Sequence, residues 1–338
     1  MRILIEGIGG IGGVLAGEMI RAGRQPTLVT GNEEIARAIN DFGLRVTTPD
    51  DGFTVHPRAY ASVGEAPGPF DVALLVMKAN RVVQAARDTL PLLSPEGFLV
   101  TCQNGIVEDA VVEAVGAKRV VSAIIGWGAT MHGPGVYERT GPGSNHIGEL
   151  DREVSGRVNQ LAELMRPAAP TVVSRNIRGA LWAKLAINCT ITSGGALTGE
   201  PLGTMLRDRG VRAAFLGIYR EVLDTARARG ITPEAVTMDP YRLYLPRDAG
   251  RIRRTALDLL MRAVGLRYRR LRSSSLQSLE RGRPTEVDYL NGYVVQQARE
   301  AGLQAPLNAA VTRLIHEIEQ GQRTIGRQNM DQLLAVVP

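Results

Sequence analysis

The chain has 338 residues, of which 44% are hydrophobic and 22% are charged, and this composition indicates a folded protein rather than a disordered or collagen-like chain. The length suggests about two domains. Because no apolar run approaches the roughly 18 residues of a membrane span, and because Glu6 and Glu18 interrupt the apolar N-terminal segment, we expect a cytoplasmic protein with neither a membrane partner nor a signal peptide.

The charged side chains comprise 40 basic and 34 acidic residues, for a net charge of +6. Only three of the basic residues are lysines, namely Lys78, Lys118 and Lys184. Each lysine is therefore informative, because lysine can release a proton and arginine effectively cannot. The densest basic segment, residues 251–272, is interpreted as a solvated helix face, with a collar that attracts anionic small molecules as the alternative. No nucleic-acid-binding motif accompanies it, so no nucleic-acid partner is expected.

Residues 1–174 alternate short apolar runs with amphipathic segments, which is the pattern of βαβ units. Strands are predicted at residues 2–6, 25–30, 72–76, 98–102, 120–129 and 171–174. Helices are predicted to begin near Ile11, Glu33, Arg81 and Ile106. We therefore predict an α/β Rossmann-type N-terminal domain with a parallel sheet, which would bind a dinucleotide.

From residue 175 onward the pattern changes to apolar residues three and four apart, which is typical of helices. Helices are predicted at residues 177–192, 211–229, 255–270, 286–301 and 308–320. Residues 175–338 are therefore predicted to form a mostly α-helical domain that carries substrate-binding and catalytic residues. The two cysteines, Cys102 and Cys189, lack the spacing of a disulfide framework or a metal site, so no metal is expected.

A glycine-rich motif follows the first predicted strand and opens the first predicted helix. Gly7, Gly9 and Gly12 have the G-x-G-x-x-G spacing. In that position Gly7 permits a tight turn, Gly9 lets the backbone approach a pyrophosphate, and Gly12 allows close packing of strand and helix. The motif predicts a dinucleotide site, and a glycine turn without a ligand is the alternative.

The usual acidic partner of this motif, which holds the ribose of NAD, is missing at the end of the second strand. The residues there are Thr30, Gly31 and Asn32, followed by Glu33. Thr30 and Glu33 have the spacing of a helix capping box, which explains Glu33 without a ligand. No arginine for the phosphate of NADP stands there either, so these residues leave the choice of cofactor open. Glu6, a charge on the last residue of the first strand, has no explanation from the sequence.

A polar stripe is predicted on the helix that begins at residue 177. Lys184, Asn188 and Thr192 are four residues apart and lie on one face, between apolar residues. A lysine ammonium can protonate a carbonyl oxygen while its carbon receives a hydride, and an asparagine amide can hold a substrate or cofactor. A solvent-facing stripe or a buried hydrogen-bond network is the alternative.

Two more polar residues follow predicted strands. Lys78 comes after the strand at 72–76, and Asn104 comes after the strand at 98–102. Open α/β sheets bind ligands at the carboxyl ends of their parallel strands. Both residues are therefore candidates for binding, with an ordinary loop lysine and a simple Asn-Gly turn as the alternatives.

Taken together, these segments resemble the ketopantoate reductase (2-dehydropantoate 2-reductase) family. The matching stretches occur in the family's order: Gly7–Gly12, Met77–Ala79, Gln103–Ile106, Asn176–Arg178, Leu181–Asn188 and Gly282–Gly292. The lysine helix is shared with other dehydrogenases of related fold. The segment Thr285-Glu286-Val287-Asp288-Tyr289-Leu290-Asn291-Gly292 is much more specific to this family.

The resemblance implies NADPH-dependent reduction of 2-dehydropantoate to pantoate, a step of pantothenate biosynthesis. It implies Lys184 as the general acid and Glu286 as the carboxylate that holds substrate and orients the lysine. Substrate-binding residues by the same resemblance are Asn104, Asn188 and Ser274. Those that would bind the cofactor are Gly7, Ile8, Gly9, Gly10, Ile11, Gly12, Lys78 and Asn104.

Three positions depart from the family pattern. Gly31 stands where the family often has an arginine that contacts the 2′-phosphate, so NADH is retained beside NADPH. Ser278 replaces the usual aspartate and Thr192 replaces a common asparagine, so another 2-keto or hydroxy acid is retained as the substrate. A non-catalytic nucleotide sensor is the third alternative. A homodimer is retained as a candidate assembly.

Overall fold

The alternating apolar and amphipathic segments of the first half form a layered α/β structure, as their pattern predicts. The computed structural model describes residues 1–336. Within these residues the strands are β1 (Ile3–Glu6), β2 (Thr27–Val29), β3 (Leu44–Thr47), β4 (Gly52–Val55), β5 (Ala59–Tyr60), β6 (Phe70–Leu75), β7 (Leu93–Thr101), β8 (Val120–Ile125), β9 (Ala129–Gly133), β10 (Val136–Arg139), β11 (Asn145–Glu149) and β12 (Thr171–Val173).

Helices connect these strands and fill most of the second half. Among the described residues the α-helices are α1 (Gly10–Arg21), α2 (Glu33–Phe42), α3 (Ala79–Thr89), α4 (Glu108–Val115), α5 (Gly156–Met165), α6 (Ile177–Thr198), α7 (Leu202–Met205), α8 (Arg209–Ala228), α9 (Arg251–Arg267), α10 (Ser274–Glu280), α11 (Asn291–Glu300), α12 (Pro306–Glu319) and α13 (Gln328–Leu334). Among residues 1–336, no helix is long and apolar enough to cross a membrane.

The chain divides into two compact units. One comprises Met1–Gln103 and Val107–Ile177, and the other comprises Asn104–Ile106 and the chain from Arg178 onward. The prediction placed residues 104–106 in the first domain, whereas the structure groups them with the helical unit, because their backbone contacts Tyr289.

The first unit is built on an eight-stranded sheet with the order β12-β11-β8-β7-β6-β1-β2-β5. Every neighbouring pair is parallel except β8 with β11. In the centre, Ile5 of β1 lies between Leu28 of β2 and Leu74 of β6, and all three side chains are fully buried. The mostly parallel sheet with helices, and the helical second unit, confirm the predicted fold class.

A second sheet with the order β4-β3-β10-β9 covers α1, and the sequence analysis did not predict it. Its strands are short, and β4 has no fully buried residue, so their apolar signal is weak. The predicted single strand at 120–129 is wrong: β8 and β9 belong to different sheets. The break falls at Gly126-Trp127-Gly128, where the Gly126 amide pairs with Ser144 O instead of continuing the strand.

All five helices predicted for the second half are present with shifted ends, and the shifts are largest in two of them. The helix expected at 177–192 continues to Thr198, because Gly194 and Gly195 let Phe215 and Ser273 pack directly against its backbone. The helix expected at 286–301 is instead a short 3₁₀ turn at Val287–Tyr289 followed by α11, which begins at Asn291. Glu286 therefore precedes a tight turn rather than opening a long helix.

A buried carboxylate connects two helices of this unit. Glu221 of α8 accepts hydrogen bonds from the backbone N–H groups of Leu307 and Asn308, both at 3.0 Å, and from Asn308 Nδ2 at 2.8 Å. It thereby satisfies amides in the first turn of α12, which have no partner within their own helix. Burial raises the pKa of Glu221, while the bonds to Leu307 and Asn308 lower it.

We predict that Glu221→Ala lowers the free energy of unfolding by about 3 kcal/mol, because it leaves buried donors without an acceptor. Glu300→Ala is the control, since Glu300 is exposed and its ion pair with Arg229 at 3.5 Å is a surface contact, which is worth less than about 1 kcal/mol. Urea unfolding followed by circular dichroism measures both. Equal losses in the two variants would contradict this role of Glu221.

Candidate functional site

The glycine loop joins β1 to α1, and each glycine meets a different environment. Gly7 has a φ of +98°, and a Cβ there would lie 2.5 Å from the Met77 amide nitrogen. A Cβ at Gly12 would overlap the carbonyl oxygen of Gly7. These two glycines are therefore required for the turn and for the close packing of β1 and α1.

Gly9 differs, because a Cβ at this position would meet nothing within 4 Å. It is exposed and precedes the first turn of α1 with no side-chain cap. The amide groups of a helix N-terminus and the positive end of the helix dipole favour a bound phosphate. The open side of Gly9 is thus the place where a pyrophosphate can approach the backbone, and the loop fits a dinucleotide.

The end of β2 is held by local hydrogen bonds, and the capping box predicted for it is wrong. Asn32, not Thr30, caps α2, because its Oδ1 accepts from the Ile35 amide at 3.0 Å. Thr30 Oγ1 instead donates to the carbonyl oxygen of Asn32 at 2.6 Å. Glu33 is an exposed residue in the first turn of α2, where the helix dipole favours an acid.

Lys78 lies at the start of α3, beside the glycine loop. Its neighbour Met77 contacts Gly7, as described above, and Met77 O accepts from Gln103 Nε2 at 3.1 Å. Gln103 Nε2 also donates to Leu75 O at 2.7 Å. The buried Gln103 side chain therefore holds the backbone segment that precedes Lys78. The Lys78 side chain itself is exposed.

The unexplained Glu6 has a structural role. It lies at the end of β1 and accepts a hydrogen bond from Thr89 Oγ1 at 2.8 Å, which connects β1 to the end of α3. Burial raises its pKa, while the Thr89 hydroxyl and the charge of Arg81 act in the opposite direction. A carboxylate on this strand is therefore stabilised by α3.

In the second unit, α6 carries the predicted polar stripe. Lys184, Asn188 and Thr192 are partly exposed, whereas Leu181, Leu185 and Cys189, which lie on a neighbouring face of the helix, are buried. The helix packs on α11 through Trp182 and Tyr293, whose ring centroids are 5.9 Å apart. The stripe thus has the one-sided placement that its spacing predicts.

The Asn291 side chain connects α6 to the segment of residues 285–292, a role that the sequence analysis did not assign. Its fully buried amide nitrogen donates to Cys189 O at 3.1 Å and to Asn308 Oδ1 at 2.9 Å. Its amide oxygen accepts from Ser193 Oγ. One side chain therefore joins α6, α11 and α12, and it sets the position of the segment with Glu286 relative to the stripe.

Asn104 lies beside the same segment. Gly105 has a φ of +89°, its backbone packs against the Tyr289 carbonyl, and the Ile106 amide donates to Tyr289 O at 3.3 Å. The Tyr289 amide in turn donates to Glu286 O at 3.0 Å. Glu286 is buried and Asn104 is partly exposed. The second unit therefore brings the backbone segments of Asn104 and Glu286 together.

Ser274 is the exposed first residue of α10. The residue before it, Ser273, caps this helix and donates from Oγ to Thr192 O at 2.6 Å. This contact places Ser274 next to the far end of the stripe. Ser278, one turn later, is buried and its Oγ donates to Ser274 O at 3.3 Å.

The predicted site residues fall into two groups, one in each unit. The first group is the glycine loop with Lys78, and the second comprises Lys184, Asn188, Asn104, Ser274 and Glu286. Sequence reasoning gave no role to Asn291 or Gln103, although both lie in segments that match the family. Their positions in the sequence, next to Gly292 and Asn104, could have indicated a role near the site. The hydrogen bonds of their buried side-chain amides, however, depend on tertiary contacts that spacing alone does not reveal.

The glycine loop allows a test of which glycines are required for packing and which are not. We predict that Gly12→Ala lowers the free energy of unfolding by about 3 kcal/mol, because the added methyl group overlaps backbone. Gly9→Ala changes it by less than about 0.5 kcal/mol, because its Cβ enters open space. Thermal unfolding of the two variants measures this difference, and a similar loss at Gly9 would show that this side of the loop is packed.

Comparisons with known proteins extend over nearly the whole chain. A 2-dehydropantoate 2-reductase of Pyrococcus abyssi is 28% identical over 93% of this chain and 97% of its own length. The crystal structure of a PanE/ApbA family ketopantoate reductase from Ralstonia eutropha is 27% identical, covers 96% of this chain and 100% of its own, and superposes with a TM-score of 0.81. A structure of D-mandelate dehydrogenase with NADH and anilino(oxo)acetate, 19% identical, shares the fold with a TM-score of 0.80 over 95% of this chain and 99% of its own.

Two family models match in sequence order. The model of ketopantoate reductase PanE/ApbA matches residues 3–152, and the model of its C-terminal part matches residues 176–319. Together they span most of the 338 residues, and they confirm the resemblance drawn from the motifs. The chain therefore belongs to the PanE/ApbA ketopantoate reductase family.

Proposed function

We propose that this protein reduces the keto group of a 2-keto acid, with 2-dehydropantoate as the first candidate and pantoate as its product, and uses NADPH and Lys184 as general acid. It would act in the cytoplasm, in pantothenate biosynthesis. The observation that most supports this proposal is the polar stripe on α6, which contains Lys184 and Asn188. The buried Asn291 side chain holds α6 beside the segment that contains Glu286. Family membership supports an oxidoreductase of the 2-dehydropantoate 2-reductase type.

The residues of the helical unit would handle the substrate's charges and its proton. Lys184 Nζ donates a proton to the keto oxygen as negative charge develops there. The Glu286 carboxylate would help to hold the substrate and to orient the Lys184 ammonium. Asn104, Asn188 and Ser274 supply amides and a hydroxyl that can hold the 2-keto acid. When bound, NADPH supplies the hydride that reaches the keto carbon.

The residues of the first unit would hold the dinucleotide. The backbone from Gly7 to Gly12, with Ile8, Gly10 and Ile11 between the motif glycines, fits the pyrophosphate at the start of α1. Lys78, exposed at the start of α3, supplies a positive charge. The end of β2 has no carboxylate that would favour the free ribose hydroxyl of NADH, and NADPH is therefore the proposed cofactor, with NADH as the alternative.

We expect that NADPH is preferred over NADH only modestly, because residue 31 is a glycine and does not itself contact a phosphate. The ratio of kcat/KM for the two cofactors, measured with 2-dehydropantoate, tests this. An equal or higher kcat/KM with NADH would refute the preference.

Lys184→Ala is predicted to lower kcat by about 10² to 10⁴, the usual contribution of a positioned acid. The affinity for NADPH should change little, because the glycine loop lies in the other unit. Lys184→Arg should restore little activity, since a guanidinium keeps the charge but is a very weak proton donor. Steady-state kinetics and fluorescence titration of NADPH measure the two properties.

Lys118→Ala is the matched control, because Lys118 is an exposed lysine of the first unit and should leave kcat unchanged. Near-wild-type kcat in Lys184→Arg would mean that residue 184 acts only as an electrostatic anchor. The general-acid mechanism would then be wrong.

A related dehydrogenase that acts on another 2-keto or hydroxy acid is the second candidate. Ser278, buried beside Ser274, and Thr192 replace an aspartate and an asparagine that are usual in the family. An uncharged residue at 278 changes which substituents are stabilised there. A panel of 2-keto acids, assayed by cofactor oxidation, ranks the substrates, and a branched or aromatic acid with a higher kcat/KM than 2-dehydropantoate would favour this candidate.

A non-catalytic nucleotide sensor is the alternative from another class. A sensor has no use for a proton donor, so the stripe on α6 argues against it. Oxidation of NADPH that depends on an added 2-keto acid separates the two, and binding of NADPH without turnover on any acid of the panel would support the sensor.

A further inference from the structure

The end of β2 is the position at which Rossmann-type proteins distinguish NADH from NADPH. Here the residue is Gly31, exposed and with a φ of +69°. A Cβ built on Gly31 would lie 3.7 Å from Arg81 Nη1 and 3.8 Å from Arg81 Nη2. The missing side chain at residue 31 therefore leaves a space that faces an arginine from another part of the chain.

Arg81 reaches this place from the first turn of α3. Its amide donates to Lys78 O at 3.1 Å, and its side chain is exposed. The sheet order places β6, which leads into α3, on one side of β1 and β2 on the other. The Arg81 side chain thus extends across the end of β1, and its charge lowers the pKa of Glu6 there, against the larger effect of burial.

Both terminal nitrogens of Arg81 are at nearly equal distances from the Gly31 position. A guanidinium that presents two N–H groups side by side matches the oxygens of a phosphate and can bind it through two parallel hydrogen bonds. Lys78 is the N-cap residue of α3 and precedes Arg81 by three residues, so both cations belong to the start of this helix. Phosphate at this edge would meet positive charge from α3 rather than from β2.

We propose that Arg81 binds the 2′-phosphate of NADPH and takes the role of the arginine that is absent at residue 31. This inference rests on the proposed function for the identity of the cofactor. The absence of a side chain at Gly31 then leaves room for the phosphate, because a larger side chain would occupy the space between the end of β2 and the Arg81 guanidinium. Arg81, rather than a residue of β2, is then the source of the modest preference for NADPH.

Binding to the free enzyme, without a 2-keto acid, tests the proposal. In isothermal titration calorimetry, Arg81→Ala should weaken the binding of NADPH and of 2′,5′-ADP about 10- to 100-fold, the usual size of a charge-assisted contact. Binding of NADH and of ADP, which lack the 2′-phosphate, should be unchanged. Arg81→Lys should give an intermediate loss, because the charge remains but the paired N–H groups do not.

Arg87→Ala is the matched control, since Arg87 is an exposed arginine on the same helix, two turns farther on. It should leave all four affinities unchanged. Circular dichroism should give the same unfolding midpoint for the Arg81 and Arg87 variants.

An unchanged ratio of NADPH to NADH affinity in Arg81→Ala would overturn the proposal, as would equal binding of the two cofactors by the wild type or a failure to bind either. Turnover is scored separately. If Arg81 controls NADPH binding but no 2-keto acid is reduced, the assignment of Arg81 stands and the proposed function fails. If 2-dehydropantoate is reduced with an Arg81-independent preference, the proposed function stands and this inference fails.

Discussion

The buried amide of Asn291 is the constraint on which the arrangement of the helical unit depends. Its side chain bonds to α6 through Cys189 O and Ser193 Oγ and to α12 through Asn308 Oδ1, and it is fully buried. A buried amide without these partners would cost about 1–3 kcal/mol for each unsatisfied group, so the three helices have little freedom to shift. The partly exposed side of α6, with Lys184 and Asn188, is held in place as a result. In the proposed reduction, precise placement of Lys184 matters because proton transfer from a general acid needs hydrogen-bonding distance.

In the first unit, the main structural feature is backbone of the glycine loop that remains accessible on one side. Gly7 and Gly12 bring β1 and α1 together, and Gly9 keeps one side of the loop open. Gln103 holds the ends of β6 and β7 through Leu75 O and Met77 O. The unit therefore presents backbone donors at the edge where parallel sheets bind ligands, and α3 adds cations at the same edge.

The sequence was sufficient for features that depend on local pattern. The glycine loop and the stripe on α6 follow from spacing, and the central strands follow from apolar runs. The sheet formed by β3, β4, β9 and β10 was missed, because its short strands are stabilised by packing on α1 and on the glycine loop before it, where Tyr137 OH donates to Ile8 O at 3.2 Å. The capping box at Thr30 was wrong because Asn32 competes for the same helix end. The contact of Arg81 with the Gly31 position joins residues 50 apart, which no local pattern reveals.

The central claim is that Lys184 delivers the proton during reduction of a 2-keto acid. The most direct measurement is the pH dependence of kcat/KM for the preferred 2-keto acid with saturating NADPH, in the wild type and in Lys184→Ala. The account predicts that the wild-type profile falls on the alkaline side, as the ammonium loses its proton, and that this fall disappears in the variant, whose residual activity no longer needs the lysine. The same alkaline fall in both proteins would assign the titrating acid to another group and contradict the account.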